Sequence, residues 1–418
     1  MTNNPATRPF WVFAGSGLDV MEGVVYMAIN YKDLEKALAQ NKVYNAWQYV
    51  QSLNETLMYM NVSYELLKKV HEHRISVLQQ VQNEKFGELR NSGEASYKVS
   101  DMQRTNLNVG GYELDDIIFL RKTAMEFFHY GRVSMDVLFQ LINAALLGDE
   151  AFDVEDKGLL GKLLKKLNQK PEFVKLLQLM DANKNDTRFQ YLMAFDNYIK
   201  HIKTILISVK NSIFIGNQDI FKINAFSYGG VNYDEENALD KILELRDYVY
   251  ATVDVLLQEL LQQIPNCIAN SQRIQEINYK QVFTEKDGKT YVNYISFFID
   301  VPNDISDLPT EIKVYPLIVK PNDEIYSFDF KFDKIFIRKL GTEEDNILGV
   351  ATLKNGVNSN EFYRVYKVNA CRQIDYGLYI ATFGDTYQSQ KLNMMNIYAM
   401  NGVMLFINEN SNKSPNEE

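Results

Sequence analysis

Two rows of polar side chains carry the residue types that can move protons and hold charge. Between Tyr112 and Gly148, the residues His129, Arg132, Asp136, Gln140 and Asn143 follow one another at spacings of three, four, four and three. On an α-helix that confines them to a sector of about 80°. Between Arg188 and Ser212, the residues Asn197, His201, Thr204, Ser208 and Asn211 recur at four, three, four and three. An imidazole exchanges a proton near neutral pH, and a guanidinium stabilises negative charge that develops in a transition state. His129, Arg132, Asn197 and His201 are therefore the candidate catalytic residues, with Asp136, Gln140, Thr204 and Ser208 in support. The competing reading is structural: both rows serve only to fix how helices pack.

The elements that must position these groups are two helices. In the stretch from Arg188 to Ser212, Phe195, Tyr198, Ile199, Ile202, Ile205, Leu206 and Val209 form the apolar stripe of a core-facing helix. Asp196, Lys200, Lys203 and Lys210 fall on a second side, and the uncharged row fills a third. In the stretch from Tyr112 to Gly148, apolar residues such as Phe127, Phe128, Met135, Leu138 and Ile142 surround almost the whole circumference, which marks a buried helix. Arg132 inside such a helix takes Asp136 at i+4 as its natural partner and directs its remaining donors outside the helix. Gly131 weakens the helix by about 1 kcal/mol relative to alanine and lets a neighbour come close. The two rows are accordingly predicted to face each other across a polar seam, within the bundle or across a two-fold axis.

The chain has 418 residues, a length that suggests roughly two or three domains, and its 46% hydrophobic content supports a large core. A formal charge of −10 argues against broad DNA binding, because a non-specific grip on phosphates rests on excess positive charge. Cys267 and Cys371 lie far apart in unlike surroundings, so no zinc spacing or disulfide framework is visible and a reducing cytoplasm is expected. His71 and His73 point away from one another on a helix and cannot share a metal. No signal peptide and no long apolar run is present, which leaves no membrane partner. Gly15-Ser16-Gly17 lacks the third glycine of a dinucleotide fingerprint and the Lys-Ser/Thr of a phosphate loop. No metal and no cofactor are expected.

In chain order, Tyr31 to Phe86 reads as two or three helices, and Asn91 to Gly111 as a long loop. Phe152 to Leu179 reads as two helices broken near Pro171. Phe214 to Asp234 is a Gly-, Asn- and aromatic-rich excursion with a short strand at 220–226. Glu236 to Ile264 is a long helix that stops before Pro265. Beyond about residue 271 the period becomes two, as in Tyr326, Phe328, Phe330 and Phe332. Hairpin signals stand at Asp287-Gly288, Asn355-Gly356 and Asn401-Gly402. The expected fold is α+β: a helical bundle over 1–270, a mainly antiparallel β domain over 271–408 built as a sandwich or partly closed barrel, and a disordered tail over 409–418.

Asn197 and His201 also resemble the polar residue and the histidine in the second conserved helix of HEPN-type helical domains, with Asp196 standing where the family has arginine. The resemblance implies a homodimer whose two copies line one cleft, and a metal-independent ribonuclease in members with the full motif. Members that lack the arginine are often inactive or structural. RNA cleavage needs proton transfer at the 2′-hydroxyl and the leaving oxygen, with a cation for the charge on phosphorus. His201 would supply the first and Arg132 the second. Two functions follow as expectations. One is a HEPN-like component of a bacterial defence or toxin-type system with a β binding domain, acting on RNA. The other is a non-enzymatic interaction or scaffold protein with a protein partner.

Overall fold

With neither proline nor glycine between Trp47 and Phe86, nothing in the backbone interrupts a helix there. The computed structural model describes residues 31–153, 158–202, 204, 207–210, 220–266, 277–286, 289–301, 308–314, 317–319, 322–327, 334–339, 346–354 and 364–375. Helix α1 spans Lys32–Gln40, and α2 then runs from Trp47 to Ser92, 46 residues or about 69 Å. Gly93 ends α2 in the left-handed conformation, φ 78°, its N–H donating to the Leu89 carbonyl.

The expected loop over 91–111 instead holds the end of α2, a short helix α3 (Val99–Gln103) and strand β1 (Leu107–Val109). Strand β2 (Tyr112–Leu114) pairs with β1 across Gly110-Gly111, both at positive φ. Helix α4 therefore begins later than the periodicity suggested, at Asp116, and runs to Leu147. The Asp115 carboxylate caps it by accepting from the backbone N–H groups of Ile117 and Ile118 at 2.9 and 3.0 Å. Its all-round apolar surface is buried as expected. Arg74 of α2 and Asp116 form a buried ion pair that fixes the two long helices against each other.

Two helices flank Pro171, α5 (Leu159–Leu167) and α6 (Val174–Asn185), followed by α7 (Thr187–His201). Helix α7 is shorter than the predicted helix over 188–212. The run from Ile202 to Val209 is rich in β-branched residues, whose stiff side chains favour extended backbone. Residues Ile207–Lys210 accordingly form strand β3, antiparallel to β4 (Ile220–Ile223). Arg121 of α4 donates to the Ile207 carbonyl at 2.8 Å and ties this strand to the bundle.

Hairpin β5 (Phe226–Tyr228) and β6 (Val231–Tyr233) turns at Gly229-Gly230. It lays Phe226 edge-on to Phe195 of α7, ring centres 5.9 Å apart, which gives the aromatic excursion its purpose. Strand β7 (Glu236–Asn237) pairs with β4 and leads into α8 (Ala238–Gln263), which packs against α2, α4 and α6. No described helix is long and apolar enough to cross a membrane.

The C-terminal part is a six-stranded, mainly antiparallel sheet. Its strands are β8 (Ile277–Lys286), β9 (Lys289–Val301), β10 (Glu311–Val314), β13 (Lys334–Lys339), β14 (Asn346–Leu353) and β15 (Arg364–Asp375), ordered β10-β15-β14-β13-β9-β8. The β9–β13 pair is parallel. The strands joined through Asp287-Gly288 pair with Lys286 opposite Lys289; that dipeptide, Asn355-Gly356, Asn401-Gly402, Phe328 to Phe332, residues 1–30 and the 409–418 tail lie outside the described residues. The sheet has its own core of Phe297, Val301, Ile335, Ile337, Ala351 and Tyr366. A separate hairpin, β11 (Leu317–Val319) with β12 (Ile325–Ser327), joins the helical core instead through Ile325, Leu317 and Val319. Gln40 of α1 donates to Asp323 at its turn, 2.9 Å away.

Candidate functional site

Phe128 and Phe195 stack with ring centres 3.8 Å apart and set the register between α4 and α7. Gly131 lets the helices approach. A side chain there would meet Met60 Sδ of α2 at 3.3 Å and Leu192 Cδ1 of α7 at 3.4 Å. The residues that follow the stacked pair, His129 and Asp196, are thereby brought face to face, with His129 Nδ1 3.4 Å from Asp196 Oδ1.

Asp196 is the centre of this seam. Its side chain is 2% exposed, and the Lys200 ammonium, one turn on, lies 2.7 Å from Oδ2. The carboxylate faces Nδ1 and calls for a proton on that nitrogen, which leaves Nε2 as the acceptor. The imidazole is 45% exposed, so the dyad opens to solvent on one side. Arg132, mostly buried, pairs with Asp136 one turn further along α4. Loss of hydration holds the Asp136 carboxyl above the usual carboxylate range, opposed by the Arg132 guanidinium and Lys200, and the charge on Asp196 adds to the rise. His129, Arg132, Asp136, Asp196 and Lys200 thus share one electrostatic field.

The seam is present, but α7 contributes a different row from the one predicted. Asp196 and Lys200, from the charged side of the helix, face α4 in place of the uncharged row. Asn197 is half-buried and His201 is exposed as the last residue of α7. No hydrogen bond or ion pair joins either to α4 among the described residues. Thr204 lies beyond the helix and is exposed, and Ser208 belongs to β3, where its hydroxyl donates to Asn224 Oδ1 at 2.7 Å. The helical line through Asn197, His201, Thr204 and Ser208 therefore does not form, because the chain is extended by Ile207.

On α4, Gln140 is half-buried, and Asn143 is structural, exchanging two hydrogen bonds with the backbone of Phe152. A sequence signal for Asp196 existed in its i,i+4 pairing with Lys200. Such a pair by itself more often marks a wet face than a buried carboxylate. Among the described residues no group of three or more His, Cys, Asp or Glu side chains is placed to hold a metal.

Chemically the seam offers an imidazole oriented by a buried carboxylate, with an ammonium and a guanidinium beside it. That arrangement can transfer a proton and meet an anion. Its two cations, Arg132 and Lys200, are matched by the two carboxylates of Asp136 and Asp196, so any attraction for a phosphate is local to the cations and not a net charge of the seam.

Residues 275–404 match the model of a family described as a domain of unknown function (DUF8310). No curated protein and no solved structure matches the chain.

Proposed function

We propose that the helical part is a HEPN-like module that engages RNA at the α4–α7 seam, as a homodimer in a bacterial defence or toxin-type system, with the sheet as its binding element. The observation that carries the reading is a half-exposed His129 held against the buried carboxylate of Asp196. In this reading His129 Nε2 takes the 2′-hydroxyl proton, the 2′-oxygen bonds to phosphorus as the P–O5′ bond breaks, and the leaving 5′-oxygen takes a proton from water at the open side of the seam, while Asp196 orients the ring and Arg132 and Lys200 stand by the phosphate. The catalytic histidine is then His129 and not His201.

A second reading, a non-enzymatic interaction protein, is favoured by the prior pairing of both cations, Arg132 with Asp136 and Lys200 with Asp196. RNA cleavage in a chelator and growth toxicity separate the two. The RNA reading expects His129→Gln to lose about 100-fold or more in cleavage, the scale of general acid–base catalysis, while His201→Ala keeps it. Absence of cleavage and toxicity from the wild type, or equal activity in His129→Gln, removes the enzymatic role and leaves the interaction reading.

A further inference from the structure

Away from the seam, a groove of about 550 Å³ lies between the end of α6, the start of α7 and the middle of α8. That volume falls within the range of small-molecule sites. Its apolar side is formed by Leu179, Ala182, Ala251 and Val255. Val255 stays 44% exposed on a helix whose other valines, Val249 and Val253, are buried.

The polar end is built with care. Asn183 is 7% exposed; its Oδ1 accepts from the Tyr248 hydroxyl, and its Nδ2, also buried, has no hydrogen-bond partner among the described residues. An unmatched buried donor costs about 1–3 kcal/mol unless something accepts from it. Arg188 is held flat by its fork on Asp186, 2.9 and 2.6 Å, with its guanidinium 4.5 Å over the Tyr248 ring. Its side chain is 43% exposed, so the guanidinium plane retains a free approach. Glu244 and Asp247 stand at the rim and supply carboxylate acceptors. They are partly balanced by Lys241 and Arg246 from outside the groove.

We propose that this groove binds a single nucleobase whose edge presents a carbonyl beside ring N–H donors, as guanine and uracil do. The carbonyl accepts from Asn183 Nδ2, the ring N–H groups face the rim carboxylates, and the planar ring lies against the Arg188 guanidinium and the apolar wall. Splayed bases are recognised by this combination of stacking and edge hydrogen bonds. Adenine has no carbonyl and leaves Asn183 unmatched. Three carboxylates against one guanidinium in the lining disfavour a phosphate inside, so a nucleoside binds better than its monophosphate. Binding here needs no cleavage at the seam, and the two are measured apart.

The test is calorimetric titration of the full chain with guanosine, uridine, adenosine, the corresponding 5′-monophosphates, and an acetylated, amidated Leu-Lys dipeptide. Guanosine and uridine are expected to bind, adenosine and the monophosphates at least about tenfold more weakly, a difference of about 1.4 kcal/mol. Ala251→Phe, at an exposed wall position, should abolish binding without disturbing the fold, and Asn183→Ala should erase the preference over adenosine. His129→Gln should leave binding unchanged. Equal binding of adenosine, no binding of any nucleoside at millimolar concentration, or binding that survives Ala251→Phe overturns the inference. Binding of the dipeptide in place of the nucleosides overturns it in favour of a peptide site.

Discussion

Replacing Lys200 by methionine keeps the length and helix propensity of the side chain but takes the ammonium from Asp196. That carboxylate is 2% exposed, and its other side-chain partner is His129, 3.4 Å away. Stranding a buried charge usually costs about 3–5 kcal/mol. Lys200 is itself 43% exposed and the imidazole still faces the carboxylate, so the loss should fall towards the lower end, about 2–3 kcal/mol. Asp196→Asn removes the charge that needs compensation, and the double change should cost little more than Asp196→Asn alone. Urea unfolding followed by far-ultraviolet circular dichroism measures all four chains. Costs that simply add in the double variant, or a Lys200→Met loss within error of zero, would refute the idea that Lys200 compensates the buried carboxylate.

Gly131→Val should cost about 2–3 kcal/mol, since Met60 and Leu192 already press on the position and a branched side chain cannot retreat; a thermal shift within error would show that α4 and α7 do not need this close approach. Glu35 of α1 is raised above the usual carboxylate range by burial and then by the charge of Glu324 near the β11–β12 turn, against a lowering by Lys32. The contribution of its bound proton is present below the ordinary glutamate range and lost as pH rises through the raised value. Glu35→Gln should therefore melt higher than wild type at neutral pH and match it at about pH 4; the reverse order in scanning calorimetry would reject that linkage.

Patterns confined to one element were legible in the sequence. The buried circumference of α4 and its line through His129, Arg132 and Asp136 follow from helical period alone, and the turn to period two foretold the antiparallel sheet. What escaped depended on a second element. Asp196 and Lys200 have the spacing of a solvent-facing pair, and only the Phe128–Phe195 stack turns them towards α4. The end of α7 was missed because Ile202, Ile205, Leu206 and Val209 satisfy a helical stripe on paper, whereas pairing with Ile220–Ile223 draws the last part of that run into a strand. Neither Asn183 nor Tyr248 carries a local signal of a groove, since 65 residues separate them.

The path between β9 and β13 couples the sheet to the helical core. A parallel pair cannot be closed by a tight turn. Between these strands the chain sends β10 to the far edge of the sheet and the β11–β12 hairpin into the helical core. The sheet is thus stitched through the bundle at its middle. The antiparallel neighbours β8–β9 and β13–β14 pair across contacts close in sequence, while β9–β13 closes a loop that runs through the anchored hairpin. Closing a longer loop costs more chain entropy, and docking of the hairpin on the helical core shortens the free loop that the parallel pairing has to close.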